Sequence, residues 1–293
     1  MKTLTAKYLT PVAGLLLLAG LTFQTACKKE DLESGIPGYL YIDTIQLQTD
    51  EINQGNGRSA FTDAWVFVDN EPLGVFPLPA TVPVLDARDH KISVRAGIVE
   101  NGIDALRSAY PKLLPYDTTF TLLMNTTSTL SPRVRYLNSI RFVQLENFDG
   151  GSVSLESIQT NGAPIRISNA NDPNNLDGAA GVVDLDGSQP SFQIATNDTF
   201  LLPTAVASYI ELNYRCEVEF TVSVIVNTTG GAVSVNPLVT LRPTSVWKKV
   251  YINVSDLGGI QTNAAGYKLF LSGIKPASLA QASLYFDNIK VLY

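Results

Sequence analysis

The clearest pattern in this chain is a strict two-residue alternation running from position 210 to 226. Ile210, Leu212, Tyr214, Cys216, Val218, Phe220, Val222, Val224 and Val226 hold one parity. Glu211, Asn213, Arg215, Glu217, Glu219, Thr221 and Ser223 hold the other. Successive side chains of a strand point to opposite faces, so the run predicts a sheet with one buried face, and Cys216 is a core thiol on it. The run is longer than an ordinary strand, and a bulge or break is expected near residues 215–216. Shorter strand signals cover 39–48, 64–69, 91–96 and 118–124, then 247–254, 267–272 and 282–293. These stretches are rich in Val, Ile, Thr, Tyr and Phe and are separated by Gly, Pro and Asn. No amphipathic helix pattern competes with them. Pro77, Pro79 and Pro83 mark one loop segment, and Pro111 and Pro115 bracket another. The polar stretch 126–137 reads as a linker. The chain is therefore expected to be all-β: a small β-sandwich over 39–125, then a larger module over 138–293. At about 155 residues the second module is too long for an immunoglobulin-type sandwich of roughly 100, which points to a two-sheet jelly roll.

The N-terminal pattern is different. Lys2 and Lys7 flank the start of an apolar run over 8–21, which contains Leu15-Leu16-Leu17-Leu18. Thr25-Ala26-Cys27 and the charged Lys28-Lys29-Glu30-Asp31 follow. A positive end, a short apolar stretch and small residues before a cut are what an export signal requires. Broken by Pro11, Gly14 and Gly20, the run falls short of the roughly 20 apolar residues of a membrane span. Cys27 after the small residues resembles a bacterial lipobox, with Gln24 where an aliphatic residue is usual. That resemblance implies that 1–26 is a lipoprotein signal peptide, that Cys27 bears the lipid, and that 27–38 is a tether. Lys29-Glu30-Asp31 resembles the surface-export signals of Bacteroidetes lipoproteins. The expected location is the cell envelope, lipid-anchored at the outer membrane.

Composition narrows the function classes. The formal charge is −6, and removing Lys2 and Lys7 with the signal takes the mature chain to −8. Nucleic acid demands clustered Lys and Arg, so it is not an expected partner. The single His, His90, sits in a polar stretch and reads as a solvated turn residue. A His-dependent nucleophile machine or a multi-His zinc site finds no material here. With Cys27 acylated, Cys216 has no intramolecular disulfide partner. A non-enzyme is expected. The loop 169–178 is the most polar segment and reads as long and exposed.

Two further resemblances concern the modules. Trp65-Val66-Phe67-Val68-Asp69-Asn70-Glu71-Pro72-Leu73-Gly74-Val75-Phe76, followed by His90-Lys91-Ile92-Ser93-Val94, resembles the PEGA family of surface modules, which act as spacers or docking domains. Independently, Asp69-Asn70 suits a hairpin turn and Gly74 a bulge beside it. In the second module, Phe142-Val143-Gln144-Leu145-Glu146-Asn147-Phe148-Asp149, Trp247-Lys248-Lys249-Val250-Tyr251-Ile252 and the closing Phe286-Asp287-Asn288-Ile289 resemble jelly-roll carbohydrate-binding and galactose-binding-like modules. This likeness implies glycan binding through Trp247, Tyr251 and Tyr267, whose ring faces can stack on sugars. It also implies a structural calcium on Glu146, Asp149 and Asp287. Trp247 and Tyr251 share the parity opposite to Val250, Ile252 and Val254. The other reading of Trp247 is plain packing at the start of its strand. The alternative function is structural or assembly work through contacts with envelope proteins.

Overall fold

The computed structural model describes residues 36–86, 88–256 and 263–293, so Cys27 and the tether's charged start lie outside the described residues. Among the described residues no helix is long and apolar enough to cross a membrane. The first half contributes β1 (Gly38–Ile42), β2 (Gln46–Gln48), β3 (Asp63–Val68), β4 (Glu71–Pro77), β5 (Ala80–Val84) and β6 (Asp89–Val99). It continues with β7 (Arg107–Ala109), β8 (Leu113–Leu114), β9 (Tyr116–Thr121), β10 (Thr127–Leu130) and β11 (Arg133–Tyr136). The second half contributes β12 (Phe142–Glu146), β13 (Leu155–Ser157), β14 (Ile165–Ile167), β15 (Gly181–Leu185), β16 (Ser191–Thr196) and β17 (Tyr209–Cys216). Then come β18 (Phe220–Thr228), β19 (Val233–Leu241), β20 (Thr244–Asn253), β21 (Ala264–Ile274) and β22 (Ala282–Leu292). The chain is all-β, two sandwiches in series, the second a two-sheet jelly roll.

In the first module a sheet with path β4-β3-β6-β7, joined at β6 by β9, faces two three-stranded sheets, β10-β1-β5 and β2-β11-β8. Alternation drives this packing. Leu40 and Ile42, Val82 and Val84, Ala64 and Val66, and Ile92 and Val94 all enter one core. Asp69 (φ 52°) and Asn70 (φ 71°) form the β3–β4 hairpin turn, and the register slips between Val66 and Phe67 opposite Gly74. His90 is not solvated, as the sequence suggested. It is 2 % exposed, with Nδ1 2.9 Å from Asp69 Oδ2 and Nε2 3.0 Å from the Asp86 carbonyl oxygen, and it braces that hairpin from β6. The stretch 126–137 is not a linker either. Its residues form β10 and β11, which pair in parallel with β1 and β2, and Leu130, Val134 and Tyr136 enter the core. Pro77 and Pro83 lie in β4 and β5 rather than in a loop. Both are edge strands, where a missing N–H costs no ladder bond.

The second module stacks the sheet β14-β15-β22-β17-β20, with β12 on β22, against β13-β16-β21-β18-β19. The long alternating run is the corner between them. β17 belongs to the first sheet and β18 to the second. The expected irregularity is there, a register shift of β17 on β20 between Tyr214 and Cys216, and the strand itself breaks just beyond it at 217–219. Parity survives the turn because both strands keep the same side toward the shared core, from Ile210 to Val226. Cys216 is 1 % exposed, and burial pushes its thiol up to about 11, which keeps it protonated and inert.

Among the described residues, the strands of each module pair only within that module, apart from one parallel bridge between Glu100 and Tyr251. Their side chains nevertheless share a core. Tyr209, Tyr251 and Leu292, from the outer face of the β17-bearing sheet, pack into the first module's cluster. At the centre of this junction Glu211 is 0 % exposed. Tyr110 and Tyr136 of the first module each donate a hydrogen bond to its Oε1 at 2.8 Å, and Lys249 Nζ lies 2.8 Å from Oε2. Burial pushes Glu211 upward, but Lys249 and Lys290 outweigh it and hold the carboxyl below its usual range. Burial brings Lys290 down to about 7 against the pull of Glu211, and its Nζ donates to the Asn56 carbonyl at 2.8 Å.

Candidate functional site

The outer face of the β17-bearing sheet reads as four cross-strand rows, because β22 and β20 flank β17 in defined register. From the end nearer the β17–β18 corner, the first row is Tyr285, Arg215 and Trp247. The second is Asp287, Asn213 and Lys249, the third Lys290, Glu211 and Tyr251, and the fourth Leu292, Tyr209 and Asn253. The first module covers the third and fourth rows. Besides the Glu211 contacts, Tyr209 Oη donates to Glu100 at 3.0 Å, and the Asn253 backbone N–H donates to Asn101 Oδ1 at 2.9 Å. The first two rows border a groove.

The first row is tightly organised. Trp247 Nε1 donates to the Asn174 carbonyl at 2.8 Å, and Arg215 donates to Asn174 Oδ1 at 2.6 Å. The Arg215 guanidinium lies 5.7 Å from the centre of the Tyr285 ring, and that ring meets Trp247 edge-on at 6.4 Å. The polar loop 169–178 is thus not simply exposed: Asn174 pins it over this row, and Asp177 accepts a bidentate hydrogen-bonded ion pair from Arg58 at 2.5 Å. Between the sheet and the first module the groove encloses about 480 Å³. Trp247, Asn213 and Lys249 line its sheet side, Arg58, Ala60 and Asp104 its other wall. Trp247 is half-buried there. Asn213 is 5 % exposed, and its amide oxygen has no hydrogen-bond partner. That oxygen is sealed from solvent, so what the groove offers a hydroxyl-rich ligand is the Trp247 ring with the polar groups of Arg58, Asp104 and Lys248 around it.

The three rings expected to form a sugar platform do not come together. Trp247 borders the groove, whereas Tyr251 is 2 % exposed beneath the first module, accepting the Ala60 N–H at 3.0 Å on its hydroxyl. Tyr267 is on β21 of the opposite sheet, 2 % exposed and stacked on Phe200 at 6.4 Å. Asn213, Arg215 and Arg58 were not singled out from the sequence. The first two were signalled by the polar parity of the alternating run, the same outward face that carries Trp247. Arg58 had no signal, because it reaches the site from the other module.

The calcium ligands suggested by the resemblance do not fit a metal. Among the described residues no cluster of three or more Asp, Glu, His or Cys side chains is placed to hold one. Glu146 is committed to its own turn: Oε1 accepts Phe148 N–H at 2.7 Å, and Oε2 accepts Ser154 N–H at 2.6 Å. Asp149 Oδ1 accepts Ala179 N–H at 2.8 Å. Asp287 is 1 % exposed, and burial, reinforced by Asp177 and Asp149, pushes its carboxyl up to about 8, so at neutral pH it is mostly the protonated form, a poor calcium ligand.

No family model matches the sequence, and no curated protein matches it either. Solved structures with a similar β-sandwich include a xylan-binding domain of carbohydrate-binding module family 22, at 10 % identity and a TM-score of 0.37 over 51 % of this chain and 93 % of that one. A family 22 xylan-binding domain from Paenibacillus barcinonensis gives 11 % identity and a TM-score of 0.39 over 51 % of this chain and 92 % of that one. A structure described as a promiscuous carbohydrate-binding module of the β-sandwich superfamily gives 12 % identity and a TM-score of 0.38 over 80 % of this chain and 85 % of that one. At such identities and TM-scores these likenesses add nothing to the chemistry of the groove, which rests on its own residues.

Proposed function

We propose that this chain is a lipid-anchored, non-catalytic envelope protein that binds glycan in the groove beside Trp247. The observation that carries the reading is a half-buried Trp247 in a groove whose lining also includes the polar side chains of Arg58, Asp104 and Lys248. A sugar ring on Trp247 would bring hydroxyls toward the charged groups that line the same groove. Removing one stacking face costs about 1 kcal/mol or more, or roughly fivefold or more in affinity. A glycan array probed with the chain from Lys28 onward should identify binders, and Trp247→Ala should lose them with a small change in melting temperature. A drop of many degrees would assign Trp247 to packing, and an array without binders would remove the glycan reading.

The anchor rests on Cys27 and its small-residue context. Metabolic lipid labelling of the wild type and loss of that label in Cys27→Ser are the expected results; labelling that persists in the variant would refute acylation there. Assembly through protein contacts is the second reading, and one observation favours it. At the corner pole of the jelly roll a cavity of about 860 Å³ is lined by Val218, Pro243, Ile274 and Leu279, with Glu217 and Glu219 beside them. An apolar cavity of this kind also suits a partner's side chains.

A further inference from the structure

The first module stands across the sheet face on which the groove opens, and this limits what shape of glycan can enter. Of the four outer-face rows, the third and fourth lie beneath Tyr110, Tyr136 and Glu100. A polysaccharide running along this face would meet that wall just beyond Asn213. The wall is fastened to the groove's own floor strand. Ala60 N–H donates to Tyr251 Oη at 3.0 Å, and Asn101 N–H donates to the Tyr251 carbonyl at 2.8 Å, which holds the loop bearing Asp104. On the side toward the loop 169–178, Arg58 of the groove wall is paired with Asp177. Swinging the first module away would expose Glu211 and Lys249, 0 % and 2 % exposed at their side chains, and would break both tyrosine hydrogen bonds to that carboxylate. A closed conformation is therefore the resting state of the face.

We infer that the groove takes chain ends or short oligosaccharides, with the terminal sugar against the wall formed by the first module and the next ring on Trp247, and does not accept the interior of a long polysaccharide. This rests on the glycan reading above and specifies its ligand class. The site is composite, since the wall that makes it a dead end belongs to the first module.

The test uses the whole chain from Lys28 and calorimetric titration with xylo-, cello- and laminari-oligosaccharides of increasing length. The matching polysaccharides are titrated before and after partial endo-hydrolysis, which multiplies chain ends at constant mass. Affinity should stop rising after about two or three sugars, and the sites per gram of polymer should increase in proportion to the new ends. Affinity that climbs steadily to the hexasaccharide would overturn the inference while leaving glycan binding intact. So would polymer stoichiometry that ignores the number of ends. Absence of binding by every oligosaccharide and polymer would overturn the glycan reading itself, and this inference with it.

Discussion

Asp287 and Asn288 show how two residues can carry both a fold and a pH response. The register of β17 on β22 shifts between Glu211 and Asn213, and Asn288 adopts φ 49°, a left-handed conformation that Asn tolerates. This bulge lets β22 keep Phe286 and Ile289 in the core although they are an odd number of residues apart. It also leaves Asp287 Oδ2 buried without a hydrogen bond. With its folded carboxyl raised to about 8 and the unfolded one near its usual value, the native state holds a proton that the unfolded state releases. The stability this gives is complete below about pH 4 and is lost as pH rises through 8. Arg58, Asp177 and Asp149 are the charged groups acting on it, and Asp287→Asn leaves all three in place. The melting temperature of Asp287→Asn should gain on the wild type progressively between pH 4 and 8 and then run parallel. Parallel curves across the whole range would mean that Asp287 is ionised in the native protein.

At the scale of strands, parity toward the core was the most legible feature. β17 is nevertheless buried on both faces, and not on one as its alternation suggested, because the first module covers its polar side. The run from 210 to 226 declared its core residues correctly through a corner between two sheets, because parity depends only on which side meets the core. Legibility failed at edges and in shared regions. The polar Thr127, Ser128 and Thr129 of β10 lie on an edge strand, with Leu130 alone buried, so composition alone made the segment resemble a linker. The prolines of β4 and β5 concealed strands for the same reason. Trp247 was legible as an outward residue, but Tyr251 faces outward too and is covered. Nothing in the sequence of β20 reports that another module lies on it. Tyr267 shows the converse limit: aromatic character alone does not distinguish a core ring from a sugar platform.

The molecule as a whole has two sets of sheets but a junction built like an interior. Tyr209, Tyr251 and Leu292 of the second module are part of the first module's apolar cluster, and the Glu211–Lys249 pair lies within the junction. Removing one member of such a buried pair leaves the other uncompensated, at a cost of about 3–5 kcal/mol. Separating the modules would expose both, together with the aromatic surface around them. Calorimetry of the chain from Lys28 should therefore show one unfolding transition whose calorimetric and van't Hoff enthalpies agree. Glu211→Ala should lower that transition and broaden or split it. Two resolved transitions in the wild type would show that the junction contributes little to holding the modules together.

The placement of β1 has a mechanical consequence. It lies between β5, antiparallel to it, and β10, parallel to it, with Tyr39 to Ile42 in register with strands on both sides. A pull applied at residue 36 along the axis of β1 loads its lateral hydrogen bonds in shear, so they must yield together. At an edge strand pulled sideways they would open one after another. Forced unfolding is governed by the barrier to that first collective slip. Load entering the chain ahead of β1 would therefore meet its greatest resistance at the point where the chain enters the fold.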